Sequence, residues 1–156
     1  MLTLSLAVRR TEAKARLLPS AFGQQKAMDS AVAFIVCGTL NPHEALPAAL
    51  KRTLDAGIID QAIHDSRSRH VPGQPAFQRD EAIRSGSLAA MTLMLAAKGQ
   101  GLVSAPMIGF DQLAVAQAFG LSATEVPVML VTVGYPGSAN WPQKPRNAVN
   151  NVLQFV

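Results

Sequence analysis

Two short segments of this 156-residue chain combine residue types suited to an electron-rich ligand. In Pro106-Met107-Ile108-Gly109-Phe110-Asp111 a proline and a glycine leave backbone groups accessible directly before a helix start, where N–H groups point outward and favour negative charge. In Lys144-Pro145-Arg146 two cations flank a stiff proline, and no Asp or Glu follows Glu125 to compete for them. Charge-assisted hydrogen bonding to a phosphate is the chemistry such a pair serves. Taken alone, each segment also has a plain structural reading: a strand-to-helix turn and a solvated loop.

Other candidates give way to simpler roles. Gly99-Gln100-Gly101 closes a helix instead of following a strand, so it reads as a helix end and not a dinucleotide fingerprint. His64, Asp65 and His70 do not share a helical face, and no Cys or Glu completes a metal set. Cys37 ends an apolar run with nothing nearby to activate it, which makes it a buried structural thiol. Ser85-Gly86-Ser87 lies inside a helical stretch, where small side chains permit close packing. No side-chain acid, base or nucleophile is assigned, and no metal.

Composition narrows the class further. Lys and Arg number 14 against 10 Asp and Glu, a net charge of +4, but the basic residues are scattered and aromatics make up only 5%. Nucleic-acid binding is excluded on that pattern, whereas a small anion suits it. With 49% hydrophobic and 15% charged residues the chain is too apolar for disorder, yet it contains no apolar run long enough for a membrane span. Its apolar excess predicts a subunit interface. A single cysteine forbids an internal disulfide, and Arg9 and Arg10 follow the apolar opening instead of preceding it, the wrong order for a secretory signal. A cytoplasmic location is the resulting expectation.

The elements that must position these segments follow from periodicity. Leu2, Leu4, Leu6 and Val8 alternate as a half-buried strand, and Thr11 is an N-cap for a helix that Pro19 or the stretch 23–25 should break. Residues 31–38 are continuously apolar, a strand buried on both faces. Helical spacing runs from 43 to about 66, then Val71-Pro72-Gly73-Gln74-Pro75 reads as a loop. The clearest helix spans about 78–98; Leu88, Met91, Leu93, Met94 and Leu95 lie all round it, so it is central or sits in a dimer interface. A strand at 101–105, a turn at 106–110, a helix from N-cap Asp111 to Gly120 and a strand at 126–133 complete the order, with 135–156 as an extended tail that has no regular structure over 135–146. This is one α+β domain, residues 1–156.

In this order, several stretches resemble the nitroreductase family of flavin enzymes: Ala21-Phe22-Gly23-Gln24-Gln25, Ala96-Ala97-Lys98-Gly99, Gly101 through Asp111, Pro127 through Pro136, and Lys144-Pro145-Arg146. The resemblance implies a mixed or antiparallel sheet flanked by helices, in an intertwined homodimer with flavin mononucleotide (FMN) between subunits and tails that wrap the partner. It places Pro106, Met107, Ile108 and Gly109 against the isoalloxazine ring and Lys144 and Arg146 on the phosphate. It also implies hydride passage from NAD(P)H through FMN to a nitro, quinone or related electron-poor substrate. Such enzymes usually begin with an Arg-Arg-Ser-like flavin segment, and this sequence starts at the strand that follows it; Arg9 and Arg10 lie beyond that strand and do not replace it. The competing expectation is a non-catalytic dimeric remnant, or interaction module, that has lost tight flavin binding.

Overall fold

The apolar run at residues 31–38 becomes the middle of the molecule. In the computed structural model, which describes residues 3–68, 74–138, 142 and 144–156, it forms β2 (Val32–Thr39), bounded on one side by β1 (Thr3–Val8) and on the other by β4 (Glu125–Gly134). β3 (Val103–Met107) pairs with the far side of β4, giving an antiparallel sheet of order β1-β2-β4-β3. Strand alternation sends Ala33, Ile35 and Cys37 to one face and Val32, Phe34 and Val36 to the other. Both faces are covered, which explains why β2 is free of polar side chains up to its last residue, Thr39.

Two helices close the first face. They are α1 (Thr11–Ser20) and α6 (Gln112–Phe119), and with a short α2 (Lys26–Asp29) they bury Leu17, Ala21, Ala27, Phe110 and Val115 against Ile35 and Leu130. Pro19 does not break α1: it sits in the last turn, and the helix stops where Phe22 and Gly23 enter the left-handed region at φ 53° and 69°. Arg10 occupies the N-cap position expected for Thr11, with no side-chain cap. At α6 the expected caps are present, with Asp111 accepting from the Ala114 N–H at 3.0 Å and Gly120 at φ 64°.

The second face is covered by α5 (Pro75–Gly99), which approaches through Ala82, Gly86, Ala90 and Ala97. It starts at Pro75, inside the stretch expected to be a loop, because proline is well tolerated in a first helical turn. Its approach is tight: a Cβ on Gly38 would press into the Ala82 carbonyl, and one on Gly86 would lie 2.7 Å from the Val128 side chain. Val128 reaches α5 through a bulge, the register passing from Val36↔Met129 to Cys37↔Pro127 and leaving Val128 unpaired.

The single helix expected at 43–66 is two, α3 (Pro42–Asp55) and α4 (Gln61–Ser68). Gly57 at φ 68° ends the first, and Asp60 starts the second by accepting from the Ile63 N–H at 2.8 Å. Neither helix buries a residue, and they rest chiefly on each other. The tail contains a 3-10 turn at Val149–Asn151, beyond the stretch 135–146 expected to lack regular structure. Leu2, His70, Val71-Pro72-Gly73 and the tail residues 139–141 and 143 lie outside the described residues.

Candidate functional site

The turn after β3 is built from sheet geometry. Pairing Pro106 with Val131 and Met107 with Leu130 carries the strand two residues further than expected, so these two residues belong to β3 and not to the turn. Met107 turns its side chain into the core, Pro106 is exposed, and Ile108 projects outward at 79% exposure. A tight reversal follows, with the Phe110 N–H donating to the Ile108 carbonyl at 3.1 Å while Phe110 itself is buried.

Two hydrogen bonds brace this turn against the end of α1. The Asp111 N–H donates to the Ser20 carbonyl at 2.8 Å, and Gln24 Nε2 donates to the Gly109 carbonyl at 2.8 Å. The successive left-handed residues Phe22 and Gly23 swing the chain so that Gln24 can reach Gly109. With its carbonyl engaged, Gly109 is held in one orientation. None of the described hydrogen bonds uses the N–H of Ile108 or of Gly109. Two adjacent donors on a braced turn at the surface can bind an acceptor-rich edge or a developing negative charge. Phe22, 67% exposed, and Ile108 add apolar surface beside the brace.

Lys144 and Arg146 are exposed in the tail. β4 ends at Gly134, which pairs with Val103 at the far end of β3 from the turn.

Gln24 is a residue whose role the sequence did not reveal, because its partner lies 85 positions away. Lys14 is another. It is buried, and its Nζ donates to the carbonyls of Met28, at 3.2 Å, and of Ser30, closing the segment that leads into β2. The helical spacing of Lys14, Leu17 and Ala21 was a readable sign that the lysine faces inward.

Cys37 is fully buried, and that burial, reinforced by the negative charge of Glu125, pushes its thiol up to about 11. It is an unreactive core residue, as expected. His64 contacts Asp65 Oδ1 at 3.0 Å on exposed α4, and no group of three potential metal ligands occurs among the described residues. Ser85, Gly86 and Ser87 lie within α5, where Gly86 serves close packing.

Comparison with known proteins decides the class. A family model described as the nitroreductase family matches residues 4–135. The chain belongs to the nitroreductase family. Nitroreductases are oxidoreductases, and this membership favours an enzyme over a remnant. MhqN of Bacillus subtilis, an NAD(P)H nitroreductase by name, is 31% identical over 150 residues, covering 93% of this chain and 72% of its own length. YodC of the same organism, named likewise, is 32% identical over 126 residues, which are 79% of this chain and 62% of YodC. The crystal structure of the nitroreductase ydfN from Bacillus subtilis superimposes with a TM-score of 0.90 at 28% identity, covering 99% of this chain and 77% of that one. A nitroreductase from Exiguobacterium sibiricum, solved in complex with FMN, superimposes at 0.86 with 24% identity over 98% and 76%. The α+β architecture with its antiparallel sheet is therefore the nitroreductase fold.

Proposed function

We propose that this nitroreductase is an FMN-dependent oxidoreductase that draws electrons from NAD(P)H and passes them to nitro, quinone or related electron-poor substrates, working as a homodimer. The observation that carries the reading is the braced turn with the unused N–H groups of Ile108 and Gly109. When bound, FMN would supply the redox chemistry that links the nicotinamide donor to the substrate. The chain's own part is to hold and polarise it. The Ile108 and Gly109 N–H groups would hold its ring edge and favour negative charge there, a role for the backbone that asks nothing of the Ile108 side chain. Gln24 keeps those donors aligned through the Gly109 carbonyl. Pro106 and Met107 would contribute through the strand that ends at the turn, and Lys144 and Arg146 would hold the phosphate. The FMN complex of the Exiguobacterium sibiricum relative supports flavin as the cofactor, and the NAD(P)H in the relatives' names supports the donor. Exposed Leu88, Met91 and Leu95 on α5 support the dimer.

The test is a pair of titrations, FMN and riboflavin, on the natural chain and on Arg146→Ala, at fixed ionic strength. FMN affinity is expected to fall about ten-fold or more, with riboflavin affinity nearly unchanged. Equal losses for both ligands would remove Arg146 from the phosphate, and no binding of either would overturn the flavin reading.

A further inference from the structure

At the β1 edge of the sheet, where the chain turns from β1 into α1, an open cleft of about 720 Å³ lies between that corner, the residue before β2 and the end of α6. Its size is that of a small-molecule site. Leu6, Ala13 and Ala31 give it an apolar lining. Arg9, Arg10 and Arg16 are also among its lining residues, and no Asp or Glu is. None of the three forms an ion pair with a described residue, whereas Arg84 is held by both Asp80 and Glu81. Like charges gathered on one cleft repel one another until an anion enters.

Arg16 is also placed. Its guanidinium carbon lies 4.7 Å from the centre of the Phe119 ring, a cation–π contact that keeps the planar donor fork at the wall of the cleft. The alanines leave room for a flat ring beside this aromatic wall. Three donors call for more than one negative charge, and the apolar lining calls for more than a bare ion. The cleft sits on the edge of the sheet opposite β3, so the turn at Ile108 and Gly109 takes no part in it.

We infer that this cleft is a second ligand site, one that takes a nucleoside polyphosphate with its base against the apolar lining and Phe119 and its phosphates on Arg9, Arg10 and Arg16. The inference does not depend on flavin binding at the turn.

Calorimetric titration of the full chain with adenosine diphosphate tests it, with thermal melts confirming that each variant is folded. Arg16→Ala and the double variant Arg9→Ala/Arg10→Ala are each expected to weaken binding about ten-fold or more. Arg16→Lys, which keeps the charge but loses the fork, should weaken it several-fold. Adenosine and inorganic tripolyphosphate should each bind at least about ten-fold more weakly than the diphosphate, since each engages only half the site. The double variant Lys144→Ala/Arg146→Ala should leave the affinity unchanged. Absence of binding at millimolar ligand, loss in the tail variant without loss in the arginine variants, or equal affinity for tripolyphosphate would each overturn the assignment.

Discussion

The two faces of the sheet are closed by opposite means. On the α1/α6 face large side chains fill the space: Leu17, Ile35 and Leu130 are fully buried, with Phe110 and Val115 around them. On the α5 face the helix comes close through Ala82, Gly86, Ala90 and Ala97, and its outer side leaves Leu88, Met91 and Leu95 at 58%, 50% and 60% exposure. A face sealed by volume is complete within one chain. A face sealed by proximity places a broad helix directly over the sheet, with a second apolar side still turned to solvent, and this asymmetry supports a second copy seated on α5.

That contrast gives a graded series of expectations. Leu130→Ala should cost about 2–5 kcal/mol in denaturant unfolding, because the filled face cannot collapse around the cavity; a loss below about 1 kcal/mol would erase the distinction between the faces. Gly38→Ala should cost about 1–3 kcal/mol or more, since the obstacle is the α5 backbone, and Gly86→Ala should cost less because the Val128 side chain can yield. The reverse order in thermal melts would mean that α5 moves more freely than its close approach implies.

Cys37 probes the filled face through pH. Its thiol ordinarily titrates near 9.0 and is pushed up to about 11 in the fold, so between these values the folded chain holds a proton that the unfolded chain has lost. Stability present below pH 9 therefore declines as pH rises toward 11, by at most about 3 kcal/mol. Cys37→Ala should flatten that part of the profile, and an unchanged slope would show that other groups carry it. The smallest effect on folding is expected on the open face. Replacing Leu88, Met91 and Leu95 by Ser should leave the far-ultraviolet circular dichroism intact while sedimentation equilibrium shifts from dimer to monomer, and a persisting dimer would move the interface off this side of α5.

Much of this architecture was legible because local patterns carry it. The double-faced strand β2, the capped helix α6 and the long helix α5 each announce themselves within a few residues. The break between α3 and α4 was missed because Leu54, Ile58 and Ile59 continue helical spacing across Gly57, while the left-handed backbone there and the Asp60 cap separate the two helices. β3 was placed two residues early because its end is set by pairing with Leu130 and Val131, which no local signal reports. For the same reason the turn at Ile108 and Gly109 could be singled out from its residue types, while the Gln24 brace could not: a hydrogen bond spanning 85 positions has no periodicity to betray it.

The central pairing of the sheet joins Val32 to Val133, about a hundred residues apart, whereas β1 and β2 meet across a single short excursion. Closing so long a loop carries an entropic cost that must be met before the contacts it allows can repay it. During synthesis on a ribosome the strand partner on the other edge of β2, β4, emerges about a hundred residues after β2 itself. Until then the β4 edge of its run of Val, Phe and Ile lacks the strand that closes it in the finished fold. The element that reads most plainly as the centre of the finished molecule is thus the part that depends longest on protection while the molecule is being made.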